Sequence, residues 1–286
     1  MPLGDRLLRI VTTTADARPL AAARVLVGLA AVVRLPIAAR LFTDLHRPDT
    51  LRVPYVAWPP PLSAAGTTVL LVAWGTAAVA LLVGWHARAA GTALALVLAL
   101  VLVQDAQAYS NHLYLLATVS ALLAVADAGA AWSLDARSRG VRATVPAWPV
   151  TLLKTQLSVV YGFAALAKLN PEYLAGATLW AFLPALRAAV GPGTPPAGVR
   201  VALSGAAALS IALEALVAIG LWVPALRRAA VVAGVALHAG MITLLPERAQ
   251  LAVFALEMAA LYVLFLVPAG AGTGGSGRRD SAAPVA

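Results

Sequence analysis

The stretch Gln156-Leu-Ser-Val-Val-Tyr-Gly-Phe-Ala-Ala-Leu-Ala-Lys168-Leu-Asn170-Pro171-Glu172-Tyr-Leu-Ala-Gly176 reads as a long apolar helix that ends on a lysine. The Asn-Pro pair stops it, because proline disfavours helical backbone in the residue before it. Lysine is scarce in this chain: apart from Lys154, every other basic side chain is arginine. Arginine stays charged almost anywhere, whereas a desolvated lysine can lose its proton and act as a base. A lysine at the rim of an apolar helix has two readings. It snorkels to a lipid interface, or it carries chemistry.

Composition agrees with a membrane setting. Of 286 residues 61% are hydrophobic and only 12% charged, with a mean hydropathy of +0.86. Soluble domains hold about 25% charged residues. Several apolar runs reach the roughly 20 residues that cross a bilayer core. The net charge of +9 and the pI near 10.8 do not mark a nucleic-acid partner. The arginines sit in short links between apolar runs, which is the pattern of cytoplasmic loops. With no cysteine, disulfides, thiolate nucleophiles and Cys-ligated metals are excluded.

The expected fold is all-α, a polytopic transmembrane bundle of about eight spans with a short interfacial helix. The spans fall near 21–42, 67–85, 89–103, 111–126, 150–168, 201–222, 229–245 and 250–268, with Arg34 and Pro36 interrupting the first. The segment 177–190 is too short to cross and contains Arg187, so it lies at an interface or re-enters. Three regions follow: a cytoplasmic amino-terminal segment 1–19 without a removable signal peptide, a transmembrane domain 20–268, and a disordered Gly/Ser-rich tail 269–286. Eight crossings put Arg88, Arg137, Arg139, Arg142, Arg227 and Arg228 on the side of both termini, the cytoplasm. Asn111, His112 and Lys168 then share the outer face. Trp58, Trp85, Trp132, Trp148 and Trp222 mark span ends and read as interfacial anchors.

Polar groups inside apolar spans are costly and need a partner or a task. Glu214, Glu257, His238 and Gln156 are such groups. One reading is interhelical bonding, with a glutamate protonated or paired to Arg34. The other is a proton-handling set near Lys168. The histidines His46, His86, His112 and His238 show no ligand spacing, so no metal is expected. No phosphate-binding glycine loop and no nucleophile elbow is present.

Asn111-His112-Leu-Tyr114-Leu, Ala126-Asp127-Ala and Trp132-Ser133-Leu-Asp135 occur in the order and spacing of a known family. Val160-Tyr161 through Ala167-Lys168-Leu169, with Glu172 and Gly176, continue the match, as do Glu214 and His238 more loosely. The region from Arg24 to Val267 resembles the membrane domain of the vitamin K-dependent gamma-carboxylase, which also occurs alone in bacterial HTTM (horizontally transferred transmembrane) proteins. The resemblance implies a multi-pass protein of the bacterial cytoplasmic membrane. It implies a reduced quinone, menaquinol or vitamin K hydroquinone, as cofactor, and Lys168 as the base that takes its proton. His112 and His238 would stabilise or relay charge, and Asn111, Tyr114, Tyr161 and Glu214 would line the substrate site. In the carboxylase the resulting alkoxide deprotonates a glutamyl side chain, whose carbanion captures carbon dioxide. That enzyme has a large extramembrane region after its helices and a lysine pair where this chain has Ala167-Lys168. Expected partners are a membrane lipid or quinone and, if carboxylation is kept, a peptide or protein. A non-catalytic receptor, immunity or assembly factor and a small proton-linked transporter remain the alternatives.

Overall fold

A computed structural model describes residues 12–54, 56, 60–191 and 193–266. Residues 1–11, Trp58 and the 269–286 tail, and the expectations placed on them, lie outside that set. Among the described residues twelve α-helices account for nearly all regular structure. Seven are long and apolar enough to cross a membrane: α1 (Ala17–Leu45), α2 (Ala64–Val83), α3 (Ala87–Gln104), α6 (Ala147–Lys168), α10 (Ala197–Gly220), α11 (Arg227–Leu244) and α12 (Arg248–Leu266). The fourth expected span is α4 (Asn111–Val125), only 15 residues. At 1.5 Å per residue it covers about 22 Å of a core about 30 Å thick. It runs alongside the Arg24–Arg34 stretch of α1, antiparallel to it. Ser110 at its start accepts a hydrogen bond from Arg34, and the Ala128 carbonyl just past its end accepts one from Arg24. α1 continues through Arg34 and Pro36 as a single 29-residue helix.

The remaining helices are short: α5 (Leu134–Arg139), α7 (Pro171–Leu174), α8 (Ala177–Phe182) and α9 (Pro184–Val190). The last two bury none of their residues, as expected of a segment that does not cross. The fold departs from pure helix in one place. Strand β1 (Thr14–Asp16) pairs antiparallel with β2 (Thr144–Pro146), with Ala15 opposite Val145. This ribbon ties the start of α1 to the start of α6.

One end of the bundle is arginine-rich and built around Arg24, which is fully buried. Its Nη1 donates to the Leu81 and Leu82 carbonyls, both at 2.6 Å, Nε to Ala128 at 3.1 Å and Nη2 to Trp132 at 2.5 Å. The Gly84 N–H already reaches the Leu81 carbonyl at 3.1 Å, and the guanidinium adds to that cap and serves Leu82 as well. Asp135 does the converse for α3, accepting from the His86 and Ala87 amides at 2.9 and 2.8 Å. Ser133 caps α5 through Ala136 N, and Asp127 pairs with Arg142 at 2.6 Å. The Ala126-Asp127 and Trp132–Asp135 motifs are therefore a structural clamp. Trp85 and Trp132 stay largely exposed beside it, as membrane anchors do.

At the opposite end the loop after α1 is held by fully buried Asp105, which accepts from Val53 N and Gln107 N, both at 2.9 Å. Gln104 Oε1 accepts from Leu62 N at 2.8 Å. Between the two ends α1 packs on α2 and α12, α3 lies between α2 and α4, and α6 pairs with α10. Gly28 allows α1 to approach α2 closely, since a Cβ there would stand 2.6 Å from Leu82 Cα.

The clamp makes a prediction. Arg24→Met removes four bonds and strands buried carbonyls, so the protein should lose about 3 kcal/mol or more of stability. Thermal unfolding in detergent measures it, and Arg24→Lys, lacking the planar fork, should restore little.

Candidate functional site

The polar residues of the opposite half converge from seven helices. On α6, Tyr161 and Lys168 are seven residues apart and so share one face. The Lys168 ammonium ion-pairs with the Glu214 carboxylate on α10. Glu214 is buried, while the Lys168 side chain keeps 28% of its surface exposed. Lys168 also sits 5.8 Å from the centre of the Tyr173 ring. That ring is placed by local sequence. Asn170 caps α7 by accepting from Tyr173 N at 2.8 Å, Pro171 occupies the first helical turn, and Tyr173 Oη meets Ser210 Oγ of α10 at 2.9 Å. Gly176 has φ +77° and a Cβ there would lie 2.5 Å from Leu203 Cβ, so only glycine allows this turn to rest on α10. The Asn170–Gly176 signature thus folds the chain back over the Lys168–Glu214 pair.

Deeper in the bundle Tyr161 Oη bonds to His238 Nε2 of α11 at 2.9 Å and to Tyr262 Oη of α12. All three side chains are buried. Phe254 of α12 lies between the two histidines expected at the site. It stacks on His112, with centroids 4.2 Å apart and planes inclined by 15°, and meets the His238 ring edge-on at 5.0 Å. Arg34 donates to Ser110 Oγ at 2.8 Å and lies within electrostatic range of His112 and of buried Glu257. The glutamate paired by hydrogen bond is therefore Glu214, and its partner is Lys168, not Arg34.

Polar atoms without protein partners gather here. Arg34 Nη1, His112 Nδ1, Glu214 Oε2, His238 Nδ1 and both Glu257 oxygens are buried and make no hydrogen bond within the described chain. Buried polar groups are nearly always satisfied, so such a group of orphans calls for water or a ligand. The arginine-rich end shows the opposite condition, with Arg24 bonded at every nitrogen. No group of three or more His, Asp or Glu suited to a metal ion occurs among the described residues.

Tyr161, His238 and His112 thus stand in a set connected through Phe254, and Lys168 and Glu214 form a second pair about two turns along α6, with Glu214 within electrostatic range of Tyr161. Asn111 and Tyr114 join neither. Asn111 is exposed and accepts from Tyr109 Oη at 3.3 Å, and Tyr114 is 54% exposed. Positions two apart on a helix face nearly opposite directions, so His112 turned inward sends Tyr114 outward. The sequence reading overlooked Tyr262 and Phe254. Their spacing of eight on the last span, flanking Glu257, was the available signal.

The chain is a polytopic helical membrane protein in which, among the described residues, the buried side-chain polar atoms without partners lie away from the Arg24 end. It belongs to the HTTM domain family: the family model described as HTTM domain matches residues 13–269, and with them every residue of the cluster. No solved structure gives a significant match.

The pairing of Lys168 with Glu214 is tested by a double-mutant cycle. Removing one partner of a buried pair strands the other charge, at a cost of about 3–5 kcal/mol. With Lys168 partly exposed, Lys168→Met should cost less than that. Lys168→Met with Glu214→Leu should be more stable than Lys168→Met alone, as read by thermal unfolding.

Proposed function

We propose that this protein binds a reduced quinone in the polar half of the bundle and uses Lys168 as the base that takes the quinol proton. The observation that carries the reading is the set of buried, unpartnered polar atoms that includes Glu214 Oε2, on the partner of Lys168, and His238 Nδ1, on the partner of Tyr161. One proton moved along the Lys168–Glu214 contact gives a free amine and a carboxylic acid, with no charge left separated in the interior. That free amine would take up the proton of a quinol hydroxyl bound next to it, an N–H bond replacing the O–H bond. His238 and His112 supply further hydrogen bonds around the ring, and Phe254 offers an aromatic face. The membership in the HTTM family and the likeness to the gamma-carboxylase membrane domain support the substrate class. Deprotonation of a quinol is the first step of a carboxylase-like reaction.

The setting follows from charge. Arg88, Arg137, Arg139, Arg142, Arg227 and Arg228 lie toward one end of the bundle, and arginine-rich links stay in the cytoplasm. In the bacterial membrane that the carboxylase-like resemblance implies, we place that end toward the cytoplasm and Lys168 toward the outer face.

Lipid extraction of purified protein followed by mass spectrometry should yield a menaquinone-type molecule. Lys168→Ala should insert normally and lose quinol-dependent turnover. A protein that neither retains nor consumes menaquinol, or a variant that consumes it equally well, contradicts the proposal.

A further inference from the structure

Tyr262, Tyr161 and His238 form a chain of hydrogen bonds whose direction can be worked out from its ends. Tyr262 Oη has one hydrogen-bond partner among the described residues, Tyr161 Oη. Tyr161 Oη has two, Tyr262 and His238 Nε2. His238 Nδ1 has none and is buried. Suppose first that His238 carries its proton on Nε2. It donates to Tyr161, Tyr161 must donate to Tyr262, and the Tyr262 hydroxyl proton has nowhere to go. In the reverse order Tyr262 donates to Tyr161 and Tyr161 donates to His238 Nε2. Every hydroxyl proton is then used, and the neutral imidazole must carry its own proton on Nδ1. Each order makes two hydrogen bonds and leaves one proton unpaired, on Tyr262 Oη in the first and on His238 Nδ1 in the second. The second sets the more acidic phenol O–H against the more basic imidazole nitrogen, which is the stronger pairing.

Gly234 makes the chain possible. It lies one turn before His238 on the same face of α11, and a methyl group on its Cα would overlap the Tyr262 hydroxyl. Any side chain at 234 would push Tyr262 away from Tyr161.

We infer that Gly234, Tyr262 and Tyr161 are positioning residues that fix His238 as an Nδ1–H donor for an oxygen of a bound ligand. The residues that set the proton lie on three helices, α6, α11 and α12, so the donor is specified by how those helices pack. Across Phe254, Arg34 Nη1 is a second unpartnered buried donor, and His112 Nδ1 is a further unpartnered nitrogen. Donors of this kind suit a carbonyl or aryloxide oxygen rather than a cation. The identity of that ligand as a quinone rests on the function proposed above, whereas the tautomer of His238 does not.

The test is nitrogen NMR on the full-length protein in lipid nanodiscs, labelled with 15N-histidine and assigned with His238→Gln. In the unliganded protein the proton should reside on Nδ1, with Nε2 shifted as a hydrogen-bonded acceptor. Tyr161→Phe should release the lock and spread the proton over both nitrogens. Tyr262→Phe and Gly234→Ala should keep the Nδ1 proton but move Nε2 toward the position of a free acceptor. A proton on Nε2 in the wild-type protein, or an unchanged His238 spectrum in Tyr161→Phe, overturns the inference. Added menaquinone should shift the Nδ1 proton signal. Absence of that shift, with the proton still on Nδ1, overturns the quinone reading and leaves the positioning role standing.

Discussion

A charge held inside an apolar bundle must be answered from within the protein, because no solvent is there to answer it. The two halves of this molecule meet that demand differently. Arg24, fully buried, has bonds from each of its three nitrogens to carbonyls of α2 and of the segment after α4. In the other half Arg34, His112, Glu214, His238 and Glu257 are buried, or partly so, and each keeps at least one polar atom unpaired. A fully satisfied network stiffens a fold, whereas a partly satisfied one is a place where something else belongs. The division between a clamped end and a polar half with unpaired groups is what the proposed role of Lys168 rests on.

The polar half depends on the clamp for its geometry. The β1–β2 ribbon and Arg24 fix where α1, α2, α4 and α6 begin or end at the arginine-rich end. Lys154 over the Phe265 ring, 5.0 Å from its centre, and Trp222 against the same ring tie α6, α10 and α12 there too. Seven residues separate Tyr161 from Lys168, about two turns, so the register set at one end carries the lysine to Glu214 at the other. The short helices α7 to α9 return the chain to the same end without crossing, which lets α10 run antiparallel to α6.

Much of this was legible in the sequence for a physical reason. Ionisable groups are so rare in apolar spans that Lys168, Glu214, His238 and Glu257 stood out by themselves, and runs of apolar residues located the helices. Pairing was not legible. Nothing in a linear sequence says that α6 lies on α10 and α1 on α12, so Glu214 was a partner for Arg34 as readily as for Lys168. The motif around His112 spreads around its helix: Asn111 and Tyr114 are neighbours of His112 in sequence but lie on the exposed side. Tyr262 and Gly234 were invisible as site residues, since a tyrosine and a glycine in transmembrane helices attract no notice. Only the contact between them gives each a role. The Trp132–Asp135 motif was recognised as a family trait, and its function as a clamp became clear only from the bonds it makes.

The central claim is that the unpaired polar groups of one half form the seat of a quinone-like ligand. Electron cryomicroscopy of the protein in nanodiscs, after addition of menaquinone, tests it most directly. The account predicts density of ring size within hydrogen-bonding distance of the Lys168 or His238 nitrogens and beside Phe254. A well-resolved bundle in which those groups contact only one another, with water in the remaining space, would contradict it.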